Sequence, residues 1–259
     1  MGILNVTPDS FSDGGRFFSL SAAVEHAQRM VEEGAAIIDV GGESTRPGSP
    51  SVPLQVELDR VVPVVEALAK AVDVPISVDT TKPEVMRAVV NAGAGFINDV
   101  LALQAPGAVE AALELKVPVC LMHMQGVPRT MQERPHYEDV VAEVRQFLLD
   151  RARFCERAGI ARERIILDPG FGFGKNLEHN CRLLRELSVY AEWDFPVLVG
   201  MSRKSMIGQI LNLPVDRRLN GSLAVAVLAV WSGATIVRAH DVRATVEAIT
   251  VAHAIKTLG

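Results

Sequence analysis

Eight short apolar segments rich in valine and isoleucine alternate with longer segments of helical period along the whole chain. Strands that are apolar on both faces, each followed by a helix, are typical of a parallel sheet covered by helices. No linker or low-complexity segment interrupts the alternation, so we predict an α/β fold with a single domain over residues 1–259, the (β/α)8 TIM barrel. An open doubly wound sheet is the alternative. The strand segments are 2–5, 36–41, 76–79, 96–99, 119–123, 165–168, 197–202 and 235–240.

Two of the intervening segments show helical periodicity clearly. Val24, Ala27 and Val31 recur on one helical face, in a segment that is expected to end at Gly34. Apolar residues recur in the same way over 140–158, before Gly159. Glycine is the residue that most readily adopts the left-handed cap of a helix, so both helices are predicted to end at these glycines.

Composition narrows the class of protein. A net charge of −5 gives no positive field for nucleic acid or an anionic membrane. The longest apolar run, residues 223–231, is shorter than the roughly 20 residues that span a bilayer. Cys120, Cys155 and Cys181 are widely spaced, as expected of reduced thiols. With no charged leader at the start, these features predict a cytoplasmic protein without nucleic-acid or membrane partners.

Residues 167–176, LDPGFGFGKN, look like a phosphate-binding loop but do not match one. A Walker loop needs glycine where Pro169 stands and a hydroxyl where Asn176 stands. The dinucleotide pattern fails as well, because its third glycine falls on Lys175. The glycines therefore serve another purpose, and the acid before them, Asp168, becomes the candidate site residue.

Polar residues stand at or near the carboxyl end of every predicted strand. In barrels this rim holds the active site, which is assembled from several strands. Each residue taken singly could be a helix cap or a turn residue, and Asp39 in particular could be structural. Eight in register favour an active site. They are Asn5, Asp39, Asp79, Asn98, His123, Asp168, Ser202 and His240.

Asp79, Asn98 and Asp168 form a set suited to a heterocycle rich in N–H groups, since carboxylates and amides accept such donors. The competing use of two carboxylates is metal binding. It is less favoured, because no histidine or cysteine stands at ligand spacing from them.

The segments MSRKS (201–205) and VRAHD (237–241) bring cations to the ends of the last two strands. The loops after these strands form the recurrent phosphate site of this fold. Arg238 and His240 alternate along a strand and should point to one face, where they could hold a pyrophosphate. The alternatives are a salt bridge for Arg238 and a packed imidazole for His240.

The first two loops that follow strands, residues 6–18 and 41–53, are long and rich in glycine, proline and serine. Long loops in a compact domain are often functional lids. Phe11, Arg46 and Pro47 favour lids that carry binding groups, with plain surface loops as the alternative.

Seven ordered motifs spread over nearly the whole chain resemble the signature set of the dihydropteroate synthase family. They are GILNVTPDSFSDGG, ESTRPG, SVDT, IND, LDPGFGFGK, SRKS and RAHD. The resemblance implies a transferase with the (β/α)8 barrel. Such an enzyme joins 4-aminobenzoate to the methylene carbon of 6-hydroxymethyl-7,8-dihydropterin pyrophosphate in folate synthesis and releases pyrophosphate.

The resemblance also implies roles for individual residues. The catalytic set is Lys204, Arg238, His240, Asp79 and Asp168. The pterin is held by Asp79, Asn98, Asp168 and Lys204 in a slot lined by Met122, Phe173 and Gly200. The 4-aminobenzoate pocket is formed by Phe11, Thr45, Arg46, Pro47, Lys204 and Ser205. Pyrophosphate is bound by Asn5, Arg46, Arg238 and His240, with Mg²⁺ on Asn5 and with Asp13 on the closing first loop.

The same resemblance implies a dissociative displacement without a covalent enzyme intermediate, a sulfonamide target, and a homodimer through residues 221–232. The family normally has further residues before its first strand. Two alternatives are a pterin-binding methyltransferase, which would have no use for SRKS, RAHD or TPDSF, and a non-catalytic pterin-binding paralogue, which would have lost rim residues.

Overall fold

The structure is a computed structural model that describes residues 1–6, 15–44, 51–126 and 130–258, and of residues 15–19 the backbone only. Its strands are β1 Gly2–Asn5, β2 Ile38–Gly41, β3 Ile76–Asp79, β4 Phe96–Asp99, β5 Val119–Met122, β6 Ile165–Asp168, β7 Leu198–Val199 and β8 Ile236–Val237. Its α-helices are α1 Gly15–Glu32, α2 Leu54–Ala71, α3 Pro83–Asn91, α4 Ala108–Leu115, α5 Val140–Ala158, α6 Leu177–Arg185, α7 Ser188–Ala191, α8 Ser205–Leu211, α9 Leu219–Trp231 and α10 Val242–Thr257. Two 3-10 helices span Arg162–Arg164 and Val215–Arg217.

The eight strands are parallel and form a closed barrel. Strands β1 to β6 pair in sequence order, and β7 pairs with β8. Two isolated parallel bridges, Leu167 with Val197 and Gly2 with Ala239, join these two parts on both sides. The amide of Ile3 donates to the Ala239 carbonyl at 3.1 Å, so β1 lies beside the end of β8. The predicted (β/α)8 barrel is therefore confirmed, and the open sheet is wrong.

Successive side chains of each strand point alternately into the barrel interior and into the layer between the strands and the helices. Phe96, Cys120, Ile166 and Leu198 form one small buried cluster, separate from the main core. Side chains two residues apart in a strand point to the same face. The residues two positions beyond this cluster, such as Asn98 and Asp168, therefore face the interior as well, one layer closer to the carboxyl ends.

The helix ends follow the sequence signals. The Asp139 side chain accepts from the amides of Val141 at 3.0 Å and Ala142 at 3.1 Å at the start of α5. The same helix ends at Gly159, whose φ of 108° is left-handed, as predicted. Gly34, just beyond α1, has a φ of 96°.

Several predicted boundaries are wrong. The segments 197–202 and 235–240 were expected to be strands throughout, but β7 and β8 contain two residues each. The regular ladder between β7 and β8 ends at Val199 and Val237, although Ala239 still pairs with Gly2. Segment 36–41 becomes a strand only from Ile38, and 119–123 ends at Met122. The first loop was predicted to reach residue 18, but α1 already begins at Gly15.

Candidate active site

The polar residues at the ends of the strands meet at one level of the barrel. Asn5, Gly41, Asp79 and Asn98 are successive register partners across β1 to β4. Asp168 ends β6. Because neighbouring strands lie about 4.8 Å apart, their side chains share one small space. The fold thus assembles residues that are far apart in the sequence, as the strand pattern predicted.

Asp39 lies below this level and has no solvent exposure. Its Oδ1 accepts from the Ser77 hydroxyl at 2.6 Å. Its Oδ2 accepts from Arg238 Nε at 2.6 Å and from Asn98 Nδ2 at 3.3 Å. A buried carboxylate needs such donors and a positive partner. Asp39 therefore orients Arg238 and Asn98 from beneath, the structural role that was left open for it.

Arg238 bridges two carboxylates, since its Nη2 also lies 3.5 Å from Asp79 Oδ2. Burial disfavours the charged guanidinium, but Asp39 and Asp79 outweigh it and raise the pKa of Arg238. Burial raises the pKa of Asp79 above its usual range, and Arg238 opposes that rise. The salt bridge considered as the alternative for Arg238 is thus present. Both carboxylates are buried from solvent, and N–H groups of a ligand would stabilise the ionised form of Asp79.

Asp168 opens the next part of the site. Its Oδ1 accepts from the Gly170 amide at 2.7 Å. Burial raises the pKa of Asp168, and the nearby Lys204 ammonium acts in the opposite direction. Met122, the register partner of Asp168, is 3% exposed and lies beside Gly170. The Asp168 carboxylate, the apolar Met122 side chain and the backbone of Gly170 therefore lie together at this point of the site.

The glycines of residues 170–174 allow the turn to pack closely against the segment after β5. Gly170 and Gly174 have φ values of 68° and 62°, in the left-handed region. A Cβ on Gly170 would overlap the His123 carbonyl oxygen, and one on Gly174 would overlap the Gln125 carbonyl oxygen. Glycine is required at both positions. The sequence LDPGFGFGK is thus a close-packed turn after a strand and not a phosphate-binding loop.

Lys204 lies across the turn. Its ammonium donates to the Phe171 carbonyl oxygen and sits 4.5 Å from the centre of the Phe173 ring. Burial lowers the pKa of Lys204 to about 8, although Asp168 acts in the opposite direction. A cation over an aromatic face and beside a carboxylate marks one wall of a slot for a flat polar ring.

The segments after β7 and β8 are tied to each other. Ser202 Oγ accepts from the His240 amide at 3.2 Å and lies 3.0 Å from His240 Nδ1. Arg203 Nε donates to Asp241 Oδ2 at 3.0 Å. Gly200 lies beside Arg238, because a Cβ there would be 3.8 Å from the Arg238 Cβ and Cδ. Arg238 thus lies beside Gly200 and His240 beside Ser202, and both pairs join the segments that follow β7 and β8.

Phe11, Thr45, Arg46 and Pro47 of the predicted aminobenzoate pocket fall outside the described residues, as does Asp13 of the first loop. Ser205 is described and exposed, at the first residue of α8. It lines a groove of about 410 Å³ together with Gln132, Asn176 and Gln209. Lys175 and Asn180 also line this groove, and Lys204 precedes Ser205 in the chain.

The family resemblance implies that Asn5 binds a magnesium ion. Among the described residues, no group of three or more histidine, cysteine or acidic side chains could hold a metal ion. Mg²⁺ typically keeps several waters and uses one or two protein oxygens together with substrate phosphates. The partly exposed Asn5, whose Oδ1 stands over Gly41 at the rim, fits that mode of binding.

Sequence reasoning missed residues that hold the site segments in place without facing the site themselves. The pair of Arg203 with Asp241 and the contacts of Lys175 with His123 were not expected. Arg203 and Lys175 lie inside motifs that the sequence analysis used for other purposes, and this position was the available signal. The sequence did not indicate their partners, Asp241 and His123, because these lie far away in the chain.

Comparison with known proteins agrees with the site. The sequence profile of the family described as Pterin binding enzyme matches residues 1–240. A dihydropteroate synthase of Escherichia coli K12 is 60% identical over 254 residues, covering 98% of this chain and 90% of the relative. Over the part of the chain that the structure describes, no helix has the length and apolar character needed to span a membrane.

Solved structures agree as well. Dihydropteroate synthase of Yersinia pestis, in a complex with a sulfonamide drug, has a TM-score of 0.94 and 55% identity, covering 100% of this chain and 94% of that chain. The enzyme of Xanthomonas albilineans with 4-aminobenzoic acid has a TM-score of 0.94 and 52% identity, with coverage of 100% and 93%. The expected resemblance is confirmed, and this chain belongs to the dihydropteroate synthase family of pterin-binding transferases.

Proposed function

We propose that this chain condenses 4-aminobenzoate with 6-hydroxymethyl-7,8-dihydropterin pyrophosphate to give 7,8-dihydropteroate and pyrophosphate in folate biosynthesis. The observation that carries the proposal is the convergence of Asp79, Asn98, Asp168 and Lys204 on one slot beside Phe173. The names of the relatives support the product, and the bound 4-aminobenzoic acid of the Xanthomonas enzyme supports the second substrate.

The slot suits a pterin for chemical reasons. The amino-pyrimidinone edge of a pterin presents several N–H donors, which the carboxylates of Asp79 and Asp168 can accept. The Asn98 amide can both donate and accept, and the Lys204 ammonium can donate to ring acceptors. Met122 and Phe173 would contact the faces of the ring. Leaving any of these buried polar groups unpaired costs affinity, so the set is selective.

The pyrophosphate would lie on the side of the mouth formed after β7 and β8. Arg238 and His240 would bind its oxygens, together with Asn5 and Arg46. Mg²⁺ bound with the pyrophosphate, and held at Asn5, would neutralise part of its charge. An arginine that is already held by Asp39 Oδ2 at 2.6 Å needs little reorientation to meet an anion.

The aminobenzoate would enter beside Lys204 and Ser205, at the mouth of the groove. Phe11, Thr45, Arg46 and Pro47 would complete its pocket, with Asp13 on the first loop. A 4-aminobenzenesulfonamide carries the same aniline group as 4-aminobenzoate, so we expect such sulfonamides to compete with it, in line with the sulfonamide drug complex of the Yersinia enzyme.

The displacement would be dissociative. An aniline is a weak nucleophile, so the rate depends on stabilising the leaving pyrophosphate and on positioning the two substrates. Arg238 and His240 would stabilise the charge that grows on the leaving oxygen. The pterin ring can stabilise positive charge at its methylene carbon as the bond breaks. Exclusion of water protects that carbon from capture.

The reaction is tested by pyrophosphate release from the dihydropterin substrate, with and without 4-aminobenzoate and Mg²⁺. We expect release to need both additions and to collapse in Lys204→Ala. Folded protein that binds the pterin but releases no pyrophosphate would be a non-catalytic paralogue. A denaturation-resistant, enzyme-bound pterin formed in a burst would contradict the absence of a covalent intermediate.

The partner of the chain would be a second copy of itself. Helices α9 and α10 pack together and expose apolar side chains, among them Leu228, Trp231, Val251 and Ile255. Contiguous apolar surface of this kind is typical of a protein interface. We expect Leu228→Glu to halve the mass measured by light scattering, whereas Phe154→Glu, at an exposed apolar residue of α5, should leave it unchanged. A wild-type monomer mass at every concentration would refute the dimer.

A further inference from the structure

Lys175 is a lysine with 2% exposure whose contacts are all with neutral groups. Its Nζ lies 3.0 Å from the carbonyl oxygens of Gly170 and Phe173. It also lies 2.8 Å from His123 Nδ1 and 3.4 Å from the His123 carbonyl oxygen. Burial lowers the pKa of Lys175 well below its usual range, and Asp168 acts in the opposite direction. The three shorter contacts satisfy the amino group in its charged and in its neutral form.

Two hydrogen-bonding states of the His123 ring fit these contacts. A charged Lys175 donates to Nδ1 of a ring protonated at Nε2, whereas a neutral Lys175 accepts from a ring protonated at Nδ1. Burial, with the Lys175 charge acting in the same direction, lowers the pKa of His123 to about 2. The ring packs edge-on against Phe147, with 4.9 Å between centroids. His123 is therefore a neutral, fixed hydrogen-bond partner of Lys175 rather than a base.

The other polar groups of the same turn are also occupied by side chains. The Tyr137 hydroxyl donates to the Gly174 carbonyl at 2.8 Å. Asn180 Oδ1 accepts from the Gly172 amide at 2.7 Å, and its Nδ2 donates to the Lys175 carbonyl at 3.1 Å. Lys175 is the member of this set that holds the inner side of the turn, next to the slot.

We propose that Lys175 is a positioning residue for the pterin. By holding the carbonyls of Gly170 and Phe173 against His123, it places the Phe173 ring and the Phe171 carbonyl opposite Lys204. It also holds the Gly170 amide on Asp168 Oδ1. The motif that resembles a phosphate loop thus uses its lysine inward, as an internal clamp on the wall of the slot.

The inference rests on the proposed function, and it differs from a purely structural role in what it predicts. A structural role would lower stability and leave the relative affinities of the two substrates unchanged. A positioning role would weaken pterin binding more than aminobenzoate binding, because Lys175 holds the turn that carries Phe173. Lys175 and Asn180 also line the neighbouring groove, but Ser205 and Gln209 of another segment complete it.

The test compares Lys175→Met with Tyr137→Phe, which removes a contact to the outer end of the same turn. Three quantities are measured for each variant: the melting temperature, the pterin pyrophosphate Kd, and the aminobenzoate KM at saturating pterin. We expect Lys175→Met to raise the pterin Kd about tenfold or more and the aminobenzoate KM by a clearly smaller factor. Tyr137→Phe should lower the melting temperature and leave the pterin Kd within about twofold.

Equal pterin Kd values for Lys175→Met and wild type, or equal losses in both variants, would overturn the proposal. If Lys175→Met does not fold, His123→Asn and His123→Leu replace it, since asparagine keeps a hydrogen-bond partner for Lys175 and leucine does not. The pterin Kd should then rise for leucine only, and equal values would again overturn the proposal. A wild type without turnover would reject the proposed reaction instead, because the Kd comparison needs no turnover.

Discussion

The turn of residues 169–175 and the segments after β7 and β8 both border the active site, but they are held in different ways. In the turn, buried backbone carbonyls such as that of Gly174 accept from side chains. After β7 and β8, charged pairs such as Arg203 with Asp241 connect the segments. Hydrogen bonds among buried groups respond little to salt, whereas partly exposed ion pairs are screened. The aromatic wall is thus preformed, and the side proposed to bind the pyrophosphate is held by charge.

The largest effect should come from Arg238, which belongs to the charged side but contacts a fully buried acid. Arg238→Met would leave Asp39 without its ion-pair partner, so we expect the free energy of unfolding to fall by about 3–5 kcal/mol. Urea denaturation measures this loss. In an Asp39→Asn background the same change should cost much less, because no buried charge is stranded. Equal costs in both backgrounds would show that the pair contributes little.

Gly170→Ala tests the preformed turn. The left-handed φ of 68° and the overlap with the His123 carbonyl oxygen should together cost about 2–4 kcal/mol of stability. Gly95→Ala is the matched control, since a Cβ at Gly95 would have no atom within 4 Å. Its effect should stay within about 0.5 kcal/mol. Similar melting temperatures for the two variants would mean that the turn is not closely packed in solution.

The pH dependence of pterin binding separates the two kinds of group. Burial raises the pKa values of Asp79 and Asp168, and both must be ionised to accept N–H donors, so affinity should rise with pH through their pKa values. Above about 8 the Lys204 ammonium loses its proton, and affinity should fall. The alkaline limb of the profile, where one lysine titrates, changes affinity by about tenfold per pH unit at most. The acid limb, where two carboxyls titrate, changes it by about a hundredfold per pH unit at most.

Calorimetry with 6-hydroxymethyl-7,8-dihydropterin, which lacks a titrating pyrophosphate, measures these limbs. In Asp79→Asn the acid limb should become shallower while the alkaline limb remains. A flat profile between about pH 5 and 9 would contradict these assignments.

The smallest effect is expected for Arg203→Met. Its ion pair with Asp241 is 40% and 21% exposed, so it should stabilise the fold by only about 0.5–1 kcal/mol at low salt. In roughly 1 M salt the difference from wild type should nearly vanish. Thermal melts at the two salt concentrations measure it. A loss that is unchanged by salt would place Arg203 with the preformed groups instead.

The sequence predicted most of the strands because each has a buried interior residue two positions before a polar one. Segments 76–79, 96–99 and 165–168 coincide with β3, β4 and β6 for this reason. The same pattern overestimated β7 and β8. There the polar residues continue past the last ladder pair into loops, and alternation alone does not show where pairing stops.

Pairings between distant residues were out of reach of the sequence. Arg238 and Asp39 are 199 positions apart, and only closure of the barrel brings them to 2.6 Å. Lys175 and His123 are 52 positions apart, in motifs that suggested other roles. The residues that face a ligand follow a local pattern, whereas the residues that hold them depend on the whole topology.

The bridge between Gly2 and Ala239 also has a consequence for how the chain folds. The first strand keeps an unpaired edge until the last strand has been synthesised, since the amide of Ile3 donates to the Ala239 carbonyl. Unpaired edges invite association with other chains, and contacts between residues far apart in sequence form slowly. Pairing of β1 with the end of β8 is thus a late step in folding. Chains whose synthesis stalls before this step keep an unpaired edge that chaperones must protect.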